Sequence, residues 1–348
     1  MSVTANAVRW GVLGLADIAR RAVIPAIRAS AGAKLHAIAT RGEAPSPSAF
    51  DDVVCYAGPD SYARLLADPD IDAVYIPLPN HLHSTWAIQA CEAGKHVLCE
   101  KPLGVTPDDV AAMIDASERC SVLLMEAFMY RYNPQLIALK ERIGSGELGD
   151  PRLLQASFTV ALSDPETNVR MQSTPGAGAL FDVGVYAINT ARWMFGSQPT
   201  HAYAKAKRRQ GGTADEVATI VLEFPDDRLA VVDCALSLPY RNHFAVVGTG
   251  GSALVDRPYA SPPFQPARDE LVTVITDAAG TAKADRFPEA DQYRLEVAAF
   301  CRAVHGDRTG LYPTTESRAD AAVLAACLRS MQTGRSEAVA RIDQKGTP

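Results

Sequence analysis

The chain of 348 residues is long enough for two domains, and its 47% hydrophobic and 21% charged residues are those of an ordinary globular protein. A net charge of −6 gives no basic footprint for nucleic acid, and no run of eighteen apolar residues exists to span a membrane. Seven cysteines without a C-x-x-C pair argue for free thiols, and the start Met-Ser-Val-Thr-Ala-Asn-Ala lacks the segments of a secretory signal, so a cytoplasmic protein is expected.

The first half alternates strand and helix. Val8–Leu13 reads as a strand, Ile18–Ala29 as a helix and Lys34–Thr40 as the next strand. Ala73–Ile76 and Val97–Cys99 repeat the strand pattern, with helices at Ser61–Leu66, His83–Ala93 and Pro107–Arg119 and a last apolar run at Val122–Met125. This order predicts a doubly wound parallel sheet. Its first turn runs from Gly11 through Gly14, Leu15, Ala16, Asp17 and Ile18 to Ala19, and reads as a G-x-G-x-x-G variant at Gly14, Ala16 and Ala19. Following a strand and opening a helix, these residues are candidates to cradle a dinucleotide pyrophosphate. A small-residue turn that serves only helix packing is the alternative.

The end of the second strand discriminates between cofactors. An NAD site wants an acid there for the ribose hydroxyls, whereas an arginine accommodates a 2′-phosphate. The residues present are Thr40 and Arg41, with no acid before Glu43, so NADP is favoured over NAD; an ordinary solvated arginine is the competing reading. The two prolines in Glu43–Ser48 predict that a regular crossover helix is shortened or missing there. After Ala73–Ile76 come Pro77, Leu78, Asn80, His81 and His83, a loop expected to line the nicotinamide end. The two histidines lack a third ligand at metal-site spacing, so no metal is expected. Glu100-Lys101-Pro102 then places a lysine at the carboxyl end of an apolar strand, where ligands bind in parallel sheets. A merely solvated strand end is the bland reading.

The second half changes character. A helix at Pro134–Ser145 precedes longer alternating strands at Leu153–Leu162, Thr200–Arg208, Glu216–Phe224, Leu229–Ser237, Phe244–Gly248 and Leu271–Thr276, and helices at Gln292–Val304 and Glu316–Thr333 close the chain. These strands predict a mostly antiparallel, half-exposed sheet whose free face suits contact between copies. Between the first two strands, the glycine-rich stretch Pro175–Gly178 leads into an apolar helix with Asp182 and Tyr186 on one face. An aspartate on a buried helix is costly unless partnered. Removing a hydroxyl proton as a hydride leaves needs a base, and a tyrosine near pKa 10 serves at neutral pH only beside a cation, for which Lys101 is the candidate. A capping aspartate and a core tyrosine would look the same in sequence. Arg131, Tyr132, Phe158, Tyr240 and Tyr293 are candidates for the substrate wall.

The stretches Arg9–Gly14, Glu100–Pro102, Met125–Arg131 and Gly178–Tyr186 together resemble the Gfo/Idh/MocA family of NAD(P)-dependent oxidoreductases almost from end to end. The nearest branch is that of glucose–fructose oxidoreductase, NADP-dependent D-xylose 1-dehydrogenase and dimeric dihydrodiol dehydrogenase. The resemblance implies an N-terminal Rossmann domain, expected at 1–127, and a C-terminal α/β substrate domain with an open sheet, expected at 128–348 and mediating a homodimer or homotetramer. It implies Lys101 as catalytic lysine and Asp182 and Tyr186 as substrate-side acid/base residues. The expected activity is NADP-dependent oxidation of an aldose, at its anomeric carbon, or of a related cyclic polyol. A nucleotide-linked deoxysugar 3-ketoreductase or a trans-dihydrodiol dehydrogenase would use the same residues. A dinucleotide sensor without turnover would have no need of all three.

Overall fold

The computed structural model describes residues 7–43, 50–209, 211–260 and 262–342. The chain's opening residues and the proline segment 44–48, on which two of the expectations above fall, lie outside the described residues. All seven cysteines are free thiols. Among the described residues no helix is long and apolar enough to cross a membrane.

The chain divides into two compact units. The first comprises 1–104, 108–129 and Asp291–Thr314, and its core is a six-stranded sheet in the order β3-β2-β1-β4-β5-β6. The strands are β1 (Val8–Leu13), β2 (Ala33–Thr40), β3 (Val54–Ala57), β4 (Ala73–Ile76), β5 (His96–Glu100) and β6 (Leu124–Ala127), all paired in parallel. Four of them are buried on both sides, and β4 is buried at every position, which is why they read as short continuous apolar runs. The crossover helices are α1 (Ile24–Ala29), α2 (Ser61–Leu66), α3 (His83–Glu92) and α4 (Pro107–Arg119). α1 continues without a break from a π-helical turn, Ala19–Val23, so the run expected as one helix is one, with a π-turn inside it. α4 starts with Asp108 and Asp109 and ends with Arg119, charges that match the helix dipole.

The second unit comprises 105–107, Tyr130–Ala290 and 315–348. Its nine-stranded sheet has the order β14-β13-β12-β11-β7-β10-β9-β8-β15. In chain order these are β7 (Pro151–Ala161), β8 (His201–Arg208), β9 (Asp215–Phe224), β10 (Arg228–Ala235), β11 (Ser237–Gly248), β12 (Gly251–Asp256), β13 (Glu270–Asp277), β14 (Ala282–Pro288) and β15 (Glu337–Ala338). All pairs are antiparallel except β7 with β10. The helices are α5 (Pro134–Gly144), α6 (Val185–Phe195) and α8 (Thr314–Thr333). Strand residues alternate buried and exposed, and the register lines up Tyr203, Val221, Val231, Gln155, Ala245, Leu254 and Val274 across neighbouring strands, with Tyr203 and Leu254 exposed. The remaining helix, α7 (Gln292–Val304), follows this sheet in sequence but belongs to the first unit. Its Phe300 packs 4.9 Å from the ring of Trp10 on β1, and both side chains are fully buried.

Candidate functional site

The candidate residues form two clusters, one in each unit. In the first unit β1 ends at Gly14, whose N–H donates to Ala39 O at 2.8 Å. Gly14 has φ +101°, and a Cβ there would come 3.0 Å from Leu78 Cδ2 and 3.2 Å from Tyr62 Oη, so this turn needs glycine twice over. Leu15 and Ala16 follow, and the helical run opens at Asp17 and Ile18, where Asp17 pairs with Arg21 at 3.0 Å. Gly11 has a different role: a Cβ would sit 2.7 Å from Leu65, so it serves α2 packing. Thr40 and Arg41 stand at the end of β2, with the Arg41 guanidinium 6.0 Å from the Tyr62 ring centre. Strand, left-handed glycine turn, helix start and basic strand end together fit a dinucleotide carrying a phosphorylated ribose.

The lysine loop is clamped on three sides. The Tyr75 hydroxyl donates to Glu100 Oε1 at 2.6 Å, and Glu100 Oε2 accepts from Lys101 N at 3.3 Å. The Lys101–Pro102 peptide is cis. Leu103 N donates to Glu126 Oε1 at 2.9 Å. His83 is fully buried, with Nδ1 2.9 Å from Pro102 O and Nε2 2.7 Å from Leu78 O. Burial lowers its pKa, outweighing the two carbonyls. Both ring nitrogens therefore face the chain's own backbone: His83 braces the Lys101 loop, whereas the sequence suggested a cofactor contact. Pro77 and Leu78 are buried beside it, and Asn80 is half-buried at a single 3-10 turn. The cluster His36, Asp68 and Asp70 has ligand-like spacing but is already engaged: Asp70 pairs with Arg9 at 2.6 Å and Asp68 accepts from Tyr56 at 2.9 Å.

A buried carboxyl and a buried phenol on α7 face the Glu100 charge of this loop. Glu296 on α7 is 1% exposed, and its Oε1 has no hydrogen-bond partner. Burial, with the Glu100 charge behind it, raises its pKa well above the carboxylate range. Tyr293, expected in the substrate wall, is buried on the same helix, with its pKa raised by burial and then by Glu100 and Glu296. A carboxyl whose pKa is higher folded than unfolded (about 4.3) costs stability increasingly as pH climbs past that unfolded value. Glu296→Gln keeps the neutral shape, so it is expected to raise Tm at pH 8, by roughly 2–4 °C per kcal/mol relieved, with the gain fading toward pH 4. A variant less stable than wild type at pH 8 in thermal melts would contradict that burial.

In the second unit the glycine-rich stretch is explained by Asp215. Its carboxylate, 5% exposed, accepts from Leu180 N at 2.7 Å and so caps the helix start. Gly178 has φ +105°, and a Cβ there would fall 2.0 Å from Asp215 Oδ1. The helix begins as a π-turn, Leu180–Gly184, and continues as α6, which places Asp182 and Tyr186 one turn apart. Asp182 is 19% exposed and paired with Arg170 Nε at 3.0 Å, a partner that sequence spacing did not reveal. Tyr186 is 7% exposed, its ring 5.5 Å from Phe158, 5.7 Å from Tyr130 and 5.7 Å from Tyr259. Arg131 lies over Trp193 at 4.0 Å, and half-buried Tyr132 ends the same 3-10 turn. Tyr240 is 38% exposed, its hydroxyl accepting from Asn242 Nδ2 at 2.9 Å. A phenol in an aromatic cage, a braced carboxylate and a nearby guanidinium can together bind a polyhydroxylated molecule and exchange a proton with it.

Comparison with known proteins adds the following. The family model described as oxidoreductase family, NAD-binding Rossmann fold matches residues 8–128, and the GFO/IDH/MocA C-terminal domain matches residues 136–254. The chain is 36% identical to D-xylose 1-dehydrogenase (NADP(+)) 2 of Haloferax volcanii, over 93% of this chain and 98% of that one. It is 34% identical to dTDP-3,4-didehydro-2,6-dideoxy-alpha-D-glucose 3-reductase of Streptomyces violaceoruber, over 86% of each. Among solved structures, a 3-ketoreductase from Actinomadura kijaniata in complex with NADP and TDP-benzene superposes with a TM-score of 0.83 at 29% identity, covering 93% of this chain and 98% of that one.

Proposed function

Because the chain belongs to the Gfo/Idh/MocA family of oxidoreductases, we propose that it is an NADP-dependent dehydrogenase moving a hydride between the anomeric carbon of an aldose and the nicotinamide. The observation that carries this reading is Tyr186, caged by aromatic rings one turn beyond an Asp182 that Arg170 keeps in place. The extended likeness to an NADP-dependent xylose dehydrogenase supports the choice of aldose and cofactor. NADP, when bound, accepts the hydride from the sugar carbon.

The remaining work falls to the chain's own groups. In the oxidative direction the Tyr186 phenolate takes the proton of the C1 hydroxyl as the C1–H bond breaks, leaving a C=O bond. Lys101 donates to the same oxygen and favours the phenolate by its charge. Asp182 accepts from a second sugar hydroxyl and orients the ring. Tyr186 then returns the proton to solvent, which closes the cycle. Gly14, Leu15, Ala16, Asp17 and Ile18 would present backbone to the pyrophosphate, and Thr40 and Arg41 would hold the 2′-phosphate. Arg41→Ala is accordingly expected to raise KM for NADP roughly tenfold or more, the loss of a hydrogen bond to a charged group. KM for NAD should stay unchanged, and equal effects on both cofactors in steady-state assays would remove the phosphate argument.

A second reading is reduction of the 3-keto group of a nucleotide-linked deoxysugar, favoured by the likeness to the Streptomyces and Actinomadura reductases. Absorbance at 340 nm separates the two. NADP with D-xylose, D-glucose, L-arabinose and D-galactose should yield NADPH if the aldose reading holds. Silence across the sugars, with NADPH consumed by a dTDP-linked 3-ketosugar, would replace it with the reductase. For the sheet row containing exposed Tyr203 and Leu254 and half-buried Val221 and Val231, the occupant we propose is a second copy of this chain, which a dimeric or tetrameric mass by light scattering would support and a monomer would refute.

A further inference from the structure

Behind Tyr186 the second unit buries a hydrogen-bonded array to which the mechanism above assigns no task. Asn189, fully buried, lies one turn along α6. Its Nδ2 donates to Asp320 Oδ2 at 2.6 Å, and Asp320 Oδ1 accepts from Arg192 Nη1 at 2.7 Å. Its Oδ1 accepts from the Tyr130 hydroxyl and, at 3.1 Å, from Arg131 Nη1. Burial raises the pKa of Asp320, and the Arg192 charge opposes that shift; with both oxygens accepting, Oδ1 from Arg192 and Oδ2 from the amide NH2, Asp320 turns the amide oxygen toward Tyr130 and Arg131. Asn189 thus fixes two side chains at once: Arg131, over the Trp193 ring at 4.0 Å, and Tyr130, whose ring centre lies 5.7 Å from that of Tyr186. Thr190 completes the array, its hydroxyl 2.8 Å from Tyr186 O and 3.2 Å from the Tyr130 hydroxyl.

We propose that Asn189, oriented by Asp320, is a positioning residue that sets Tyr130 and Arg131 beside Tyr186 and thereby governs productive sugar binding. The inference rests on the reading of Tyr186 as the base. Aspartate at this position makes it testable, because two carboxylates at hydrogen-bond distance cannot both ionise without repulsion. With one proton shared between it and Asp320, the introduced carboxyl would imitate the amide; once both are charged it would turn away and release Arg131 and Tyr130. The charged or titratable groups facing the pair are Arg192 on α6, Glu316 on α8 (3.2 Å from Arg192), Tyr130 and Arg131 on the 129–132 turn, and Lys140 on α5, which interacts electrostatically with Arg131 and Glu316.

The experiment compares wild type, Asn189→Asp and Asn189→Ala at about pH 5.5 and about pH 8.5, the two sides of the shared-proton state. One readout is the 1Hδ–13Cδ signal of Arg131 in arginine-labelled protein, assigned by its loss in Arg131→Lys and ring-current shifted by Trp193. The other is kcat/KM for D-xylose with NADP. Asn189→Asp is expected to keep the shifted signal and near-normal kcat/KM at the acid pH. At the alkaline pH it should lose the shift and roughly ten- to a hundredfold in kcat/KM, as misplaced binding groups do. With each kcat/KM read against wild type at the same pH, Asn189→Ala should lose both at either pH, and wild type should keep the shifted signal at both. Wild-type behaviour of Asn189→Asp at both pH values would overturn the proposal. So would a loss equal at both pH values that tracks a lowered Tm, the mark of a packing residue alone. The NMR arm decides even if D-xylose is not turned over. If Tyr186→Phe keeps turnover, the underlying reading fails; if that variant is dead while Asn189→Asp behaves as wild type, only this inference fails.

Discussion

Replacing Tyr186 by phenylalanine is expected to lower kcat at least about a hundredfold, the usual worth of a positioned general base, while KM for NADP and the fold stay close to wild type. The expectation follows from what the substitution keeps. The ring remains among Phe158, Tyr130 and Tyr259, so packing is preserved. Only the hydroxyl is lost, which costs roughly 1 kcal/mol of stability and so roughly 2–4 °C in Tm. A collapse of Tm together with activity would mark the hydroxyl as structural. Turnover close to wild type would remove Tyr186 from the chemistry.

Lys101→Ala should be comparably severe and should leave its loop in place. The three clamps on the loop run from Tyr75 to Glu100, from His83 to the Pro102 carbonyl and from Leu103 N to Glu126, and none uses the Lys101 side chain. What the variant loses is the cation that the proposed mechanism assigns to Lys101. We expect a loss in kcat of roughly a hundredfold or more. The surviving activity should rise with pH further into the alkaline range than wild type, because a phenol without its cation ionises later. Stopped-flow measurement of NADPH formation across pH checks both. An unshifted pH profile would mean that Lys101 only binds substrate.

Much of the fold was legible because its signals are local. β1, β4, α4 and α7 occupy the ranges that hydrophobic pattern and capping chemistry predict, with Asp291 accepting from Arg294 N at the start of α7. The misses have physical reasons. β3 is a four-residue edge strand with half its residues exposed, so its apolar pattern is faint. The association of α7 with the first unit depends on Phe300 meeting Trp10, far apart in sequence. In the candidate site, motif spacing singles out Lys101, Asp182 and Tyr186. The groups that brace them come from afar: Asp320 lies 131 residues from Asn189, and Arg170 sits in a short turn without a pattern of its own. Glu296 shows the same limit, an acid whose burial only the packed helix reveals.

The central claim is hydride transfer from a sugar carbon to NADP, and isotope transfer tests it most directly. Purified protein incubated with NADP and each aldose of the panel deuterated at C1 should yield NADPH carrying deuterium at C4 of the nicotinamide, seen by proton NMR, and a sugar lactone. NADPH formed without deuterium, or no NADPH from any aldose while the same preparation reduces a dTDP-linked 3-ketosugar, would contradict the aldose assignment.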